Sequence, residues 1–441
     1  WSILELKFIF ELFFIKILKK IISYDKMVLQ DIGDGTLKHI YTSIDLGSDS
    51  IKIVVCELVH NKLNLLAATT YPSHGIKNGL IIDPDEARAS IKSALSEIEL
   101  MLGVRITKVV ATVPSYHATY TAISASITVD GVVTGEDVNS VLNKAYQSKH
   151  IEGKEMVTIV PIDFKTDSEE KIKDPKGMET VNLGTRAIMI SVPKKNIYSV
   201  LTLLESLNLE VVDIMTSSVS DISTFRTKDN MSKVGAIVNI GSDTTTVSIY
   251  NKGIVVASNI LGVGSKNIDT DISFVYKLKE ENAIKIKETF ALASSKYASR
   301  NDYYEVTDKF GDIRKISQRE VSELAQSILE ENLVLARKEI NLLTKTSIDY
   351  IIITGGTSSM SGFEALTEEV LGNNSNIGVI KIPGVRNNRY STAIGSVVYF
   401  INKLKLKGID YTMVEDEFDQ KGNNEQSETM LGKVFGYFFN E

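Results

Sequence analysis

Residues 44–54 read IDLGSDSIKIV, and residues 238–249 read VNIGSDTTTVSI. Each copy runs β-former, polar residue, β-former, then Gly-Ser-Asp, then small polar residues and alternating β-branched ones. That order describes a strand, a tight turn and a returning strand. Glycine opens a backbone path that a side chain would block, and the amides of such a turn can converge on an anion such as a phosphate. One Gly-Ser-Asp turn is ordinarily only a hairpin. Two copies, one in each half of the chain, predict two hairpins gripping one ligand from opposite sides.

The rest of the chain suits such a ligand-binding body. Its 441 residues are 43% apolar and 24% charged, the balance of a soluble globular protein of roughly two to four domains. The net charge of −7 and the lack of a large basic cluster argue against general nucleic-acid binding. Cys56 is the one cysteine, so there is no disulfide framework, and its place within a predicted strand makes it a small buried hydrophobe. The five histidines show no ligand spacing, so no zinc site is expected.

Residues 1–26 differ from the remainder: rich in Phe, Ile, Leu and Lys, and interrupted by Glu5, Lys7, Glu11 and Lys16. They make a poor membrane span or signal peptide. They are expected to be a non-native leader, with Met27 a plausible natural start; the alternative is an amphipathic membrane-binding leader. Three strands are expected over 40–71. A helix follows, with Asp83 as cap, Pro84 at its first position and Glu86 at the capping-box spacing. Residues 107–113 read as a strand. Residues 114–190 change character, with strand-like runs at 118–129, 156–165 and 185–191 around one short helix, and suggest an inserted α+β unit. Beyond the second hairpin, 253–260 adds a strand and 266–344 reads as largely helical. Apolar positions Val321, Leu324, Ile328, Leu335, Ile340 and Leu343 fit either a coiled-coil seam or a helix packed on its own domain. Residues 410–426 are acidic and amide-rich, a linker in composition.

A third glycine motif completes the set. Residues 351–357, IIITGGT, form an apolar strand ending in paired glycines, against which a ring or ribose can lie; the helix start beyond them can face a phosphate. The ordered series of first hairpin, second hairpin, Thr-Gly-Gly strand and Ala393-Ile394-Gly395 in a late helix resembles the actin-like ATPase superfamily. Within it, the insert at 114–190 and an amphipathic tail after a loose linker resemble the FtsA family. The resemblance covers roughly residues 40–407 and returns at the tail.

The resemblance implies an α/β, actin-like two-domain ATPase fold with a cleft between its domains. It assigns 41–113, 191–231 and 386–408 to subdomain 1A, 114–190 to 1C, 232–265 and 345–385 to 2A, and 266–344 to 2B. Residues 409–427 become the linker and 428–441 a membrane-targeting helix. It implies ATP and Mg²⁺ as ligands. Asp45 would hold a hydrated Mg²⁺. Gly47, Ser48 and Lys52 would form one phosphate wall, and Gly241, Ser242 and Thr244 the other. Gly355, Gly356 and Thr357 would contact the adenosine, Gly264 and Asn267 would lie near the ribose, and Lys285 near the adenosine. It further implies self-association into filaments, binding of the FtsZ C-terminal peptide through 2B, recruitment of later division proteins through 1C, and a place on the inner face of the cell membrane at the division site.

Several positions depart from the family pattern. Asn239 stands where the second phosphate motif usually has Asp; an amide can hold a water but cannot act as a general base. Thr246 replaces the Asp that usually closes the motif, and Asp243 sits in a loop usually rich in glycine. No confident catalytic residue emerges, and slow ATP turnover is expected. Rival readings are a pilus-assembly relative of the PilM type, a sugar or acid kinase, which Asn239 disfavours, and a heat-shock ATPase, for which no substrate domain follows the core. In the tail, Leu431, Val434, Phe435 and Phe438 fall on one helical face that Phe439 widens. At about 1.5 Å per residue the tail spans about 21 Å as a helix, too short for a ~30 Å hydrocarbon core. It is therefore expected to lie in the membrane interface.

Overall fold

The computed structural model describes residues 39–413. The expectations for 1–26, for 414–427 of the linker, and for Leu431, Val434, Phe435, Phe438 and Phe439 lie outside the described residues. Among the described residues no helix is long and apolar enough to cross a membrane.

Each repeated motif begins a sheet of the same design. β1 (His39–Leu46), β2 (Ser50–Val59) and β3 (Lys62–Pro72) are followed by a two-stranded ribbon of β4 (Ile76–Lys77) and β5 (Leu80–Ile81), then by α1 (Pro84–Leu102) and β6 (Lys108–Val113). An inserted unit contains β7 (Thr119–Thr128), α2 (Gly135–Gln147), β8 (Lys154–Lys165) and β9 (Asn182–Pro193). The chain then returns through α3 (Lys194–Glu205), β10 (Glu210–Thr216) and α4 (Ser217–Thr224). The first sheet has the order β10-β6-β1-β2-β3, with β1 and β10 both parallel to β6.

The second half repeats the plan. β11 (Val234–Ile240), β12 (Thr245–Asn251) and β13 (Ile254–Leu261) form an antiparallel meander. After α5 (Lys266–Val275), α6 (Glu280–Thr289), β14 (Tyr303–Thr307), β15 (Ile313–Ser317) and α7 (Gln318–Leu343), β16 (Tyr350–Thr354) joins parallel to β11. α8 (Phe363–Leu371) then leads to β17 (Ser375–Ile377), parallel to β16. The order β13-β12-β11-β16-β17 matches the first sheet strand for strand. α9 (Ser391–Lys407) ends the core.

Both sheets are covered on two faces, which is why their central strands are apolar almost throughout. In the first, Ile44, Ile51 and Ile53 pack under Ile91, Ile98, Ile197 and Leu201 of α1 and α3. On the other face, Val54, Cys56 and Val110 meet Ile394, Val397 and Phe400 of α9. In the second, Val238 and Ile353 lie under the helices of 266–343, while Ile237, Tyr250 and Ile352 meet Val219 and Ile222 of α4. α4 and α9 therefore join the two sheets, and they cross in near backbone contact: a Cβ on Gly395 would lie 1.8 Å from the Ser220 carbonyl oxygen.

Two expectations change in detail, and an open choice between two readings is settled. Asp83 caps α1 by accepting from the amides of Asp85 and Glu86, but no capping box closes, because its own N–H donates to the Gly75 carbonyl at 3.0 Å. The stretch expected to be largely helical contains the β14–β15 hairpin; the Asp308 carboxylate orders its turn by accepting from the amides of Phe310 and Asp312 and from Arg314. The seam of α7 faces inward, with Val321, Ala325, Leu329, Leu333 and Ile340 buried in the second core, so the helix packs on its own domain. The insert is a three-stranded antiparallel sheet of order β7-β9-β8 whose own small core includes Val138, Val141 and Leu142 of α2.

Candidate functional site

Because the two sheets share one plan, the two Gly-Ser-Asp turns leave equivalent strands, β1 and β11. Both turns line one cavity of about 520 Å³. Asp45, Gly47, Ser48 and Lys52 contribute from the first, and Asn239, Gly241, Ser242, Asp243 and Thr244 from the second. Gly355, Gly356 and Thr357 close a third side beyond β16. Sequence motifs distant in the chain thus meet in one place.

The first wall is built around a carboxylate. Asp45 accepts from Thr112 Oγ1 of the neighbouring strand β6 at 2.9 Å, and Lys52 Nζ stands 3.8 Å from its other oxygen. Lys52 also overhangs the turn, since a Cβ at Gly47 would lie 2.5 Å from its Nζ. Ser48 Oγ accepts from the Gly79 amide at 2.8 Å. In the second wall, the Gly241 amide donates to the Thr244 carbonyl at 2.9 Å and closes the turn. Asp243 reaches across the cleft to accept from the Asn78 amide at 3.2 Å, so its charge is directed at the β4–β5 turn. Asn78 and Gly79 together touch both repeated turns.

Of the paired glycines, Gly355 is the strict one. It has φ +90°, and a Cβ there would come within 2.4 Å of the Ile240 carbonyl oxygen. Gly356 has room for a Cβ, 3.8 Å from Arg389 Cβ, so only a larger side chain would fill the cleft. Three expected site residues lie elsewhere. Gly264, Asn267 and Lys285 are not in the lining. Gly264 is packed against the Ser242 carbonyl, and Asn267 and Lys285 are exposed. The lysine that α6 turns into the cleft is Lys287, one helical half-turn further on, held at 2.5 Å by Asp269. Burial pushes the Asp269 carboxyl up, and the Lys287 ammonium draws it back down.

The sequence reading also missed Arg389 and Asp221. Arg389 lines the cleft, and its buried Nε has no hydrogen-bond partner among the described residues. Nothing in the loop around it signals that position. Asp221 lies behind the cleft on α4, 1% exposed. Burial pushes its carboxyl up to about 7, opposed by hydrogen bonds from Asn239 and Thr392 and aided by the charge of Asp45. The helix carrying it, SSVSDIST, is poor in helix formers and gave no periodic signal.

The donor set fits a Mg²⁺–nucleoside phosphate. Turn amides and hydroxyls, Lys52, Lys287 and Arg389 surround a cavity of suitable size. Among the described residues no group of three or more His, Cys, Asp or Glu could cage a metal; Asp45 alone suits Mg²⁺, which keeps its waters and takes one or two carboxylates.

Comparison with known proteins places the chain. The family model "Cell division protein FtsA" matches residues 236–395, and "SHS2 domain inserted in FTSA" matches 116–191, the inserted sheet. The cell division protein FtsA of Bacillus subtilis is 26% identical over 390 residues, covering 87% of this chain and 88% of the relative. That of Enterococcus hirae is 24% identical, covering 90% and 98%. Among solved structures, MreB5 of Spiroplasma citri bound to ADP aligns with a TM-score of 0.52 at 13% identity, covering 84% of this chain and 98% of that one. PilM in the PilM–PilN type IV pilus biogenesis complex aligns at 0.53 and 15%, covering 81% and 98%. These two show the fold. With both FtsA models matched in their expected places and an actin-like architecture around them, the chain belongs to the FtsA family of cell-division proteins.

Proposed function

We propose that this protein binds Mg·ATP in the cleft between its two sheets, assembles into filaments on the inner face of the cytoplasmic membrane, tethers the FtsZ ring there and recruits later division proteins. The observation that carries the nucleotide reading is the meeting of both Gly-Ser-Asp turns and the Gly355-Gly356-Thr357 turn in one cavity. The amides of the two turns, Ser48, Thr244 and Lys52 hold the phosphates. Arg389 and Thr357 flank the nucleoside beside Gly356. Asp45 would hold Mg²⁺ through its waters, and the ion would supply neutralisation of the phosphate charge. On this reading 266–344 is the region that takes the FtsZ C-terminal peptide, and the inserted sheet is the region that takes later partners and a neighbouring protomer. The subdomain boundaries given above belong to the same proposal, as does a membrane role for 428–441.

Hydrolysis is slow on this reading. Asn239 is no general base, and Asp221 behind it spends one oxygen on Thr392 and the other on Asn239. A sugar- or acid-kinase reading is therefore disfavoured, because an amide stands where the base is expected. The test is co-pelleting of the full chain with FtsZ and vesicles, with and without Mg·ATP. FtsZ and the protein should pellet together with lipid. Vesicle pelleting of the protein alone, leaving FtsZ in solution, contradicts the tether.

A further inference from the structure

Asn239 is unusual for its position, and its hydrogen bonds show what it can offer the cleft. Its Nδ2 donates to Asp221 Oδ2 at 2.9 Å and to Thr392 Oγ1 at 3.1 Å. The Thr392 hydroxyl in turn donates to Asp221 Oδ1 at 2.8 Å. Three side chains from β11, α4 and α9 thus form a closed ring of donors and acceptors. An amide NH₂ has two hydrogens and its oxygen has none. Both hydrogens are committed to the ring, so Oδ1 is the atom that Asn239 has left. It lies against Gly355 at the cleft wall, where a Cβ would come within 2.5 Å of it, and Asn239 itself lines the cavity.

We propose that Asp221 is a positioning residue of the nucleotide cleft: it fixes the Asn239 amide so that its carbonyl oxygen, not its NH₂, faces the ligand and accepts hydrogen bonds from the water shell of a bound Mg²⁺. The carboxylate that relatives are expected to carry at the wall is here one layer deeper, and Asn239 relays its acceptor character without its charge. The inference rests on the reading of the cleft as a Mg·ATP site. It gives Asp221 a reason to be in a fully buried place, where an unpaired carboxylate is strongly disfavoured. It also predicts a specific failure for the apparent repair Asn239→Asp, which sets two carboxylates where an amide now donates at 2.9 Å.

The test is a charge-exchange cycle on the full chain, with Asp221→Asn, Asn239→Asp and both together. Melting temperature and the affinity for ATP, with Mg²⁺ and with EDTA, are measured on each. Asp221→Asn leaves one acceptor where two stood, so its amide can pair with Asn239 in either orientation. It should weaken Mg·ATP binding about tenfold while leaving metal-free ATP binding unchanged, a split that a packing role would not produce. Asn239→Asp alone should lower the melting temperature, and the double variant should recover both stability and the Mg²⁺ dependence. Unchanged Mg²⁺ dependence in Asp221→Asn, or a double variant no better than the sum of the single ones, overturns the inference while leaving the cleft reading intact. A folded wild-type chain that binds no nucleotide overturns both. If Asp221→Asn does not fold, the stability of the double variant against Asn239→Asp alone still decides.

Discussion

Lys407 shows how burial at a single residue sets a measurable property. It sits near the end of α9, 6% exposed. Burial, and then the neighbouring Lys403 charge, bring its ammonium down to about 6 from the usual 10.5, with Asp213 acting the other way. Between those values the unfolded chain holds a proton that the folded chain does not, so stability rises with pH across that window and is lost as pH falls through about 6. Lys407→Met should flatten that rise, read as the urea midpoint at a pH near each end of the window; a slope identical to wild type contradicts the assignment. Cys56 makes the opposite point. Burial pushes its thiol up to about 12, so it should resist alkylation until the protein unfolds. At Gly395 the constraint is steric: Gly395→Val drives a side chain into the Ser220 carbonyl and should cost about 3 kcal/mol or more, as measured by denaturant unfolding.

At the scale of elements, most of the fold was legible because its strands and helices announce themselves locally. The β1–β2 and β11–β12 hairpins carry glycine turns between β-branched runs, β16 is an uninterrupted apolar strand, and α1 has a cap with proline behind it. Asp83→Ala should cost about 1 kcal/mol, seen as a lower melting temperature. Elements whose logic is tertiary were not legible. α4 packs closely on α9 because Ser220 and Gly395 are small where they meet, a fact with no periodic signature. β14 and β15 pair through a turn that Asp308 organises, in a stretch whose neighbours are all helical. The site followed the same rule. Residues inside glycine motifs were found, whereas Arg389, Lys287 and Asp221 reach or support the cleft from elements that carry no motif. The resemblance implied Lys285, but helix phase decides which side chain turns inward, and it turns Lys287 into the cleft. The insert is tied into the body as well. Ile190 of β9 and Val160 of β8 lie in one cluster with Val219 and Tyr250, and Tyr399 of α9 donates to the Ile159 carbonyl at 3.0 Å. Ile190→Asp should therefore lower the stability of the whole chain, not of the insert alone.

For the whole molecule, the central fact is repetition. Two sheets of one strand order present equivalent turns to a shared cleft, joined by α4 and α9 crossing at Gly395. That arrangement suits a protein whose halves close on a ligand held by both. If 428–441 is the membrane segment, Phe435→Glu with Phe438→Glu should release the protein from vesicles in a flotation assay. With one lysine against two glutamates in that stretch, binding of the wild type should change little with salt. The most direct test of the account is calorimetric titration of Mg·ATP into the folded wild-type chain and into Gly356→Trp, with the folding of both checked by circular dichroism. The wild-type chain should show one saturable site and the variant none, since its indole would fill the cleft beside Arg389. No heat of binding with the wild type, or equal binding by the variant, would contradict it.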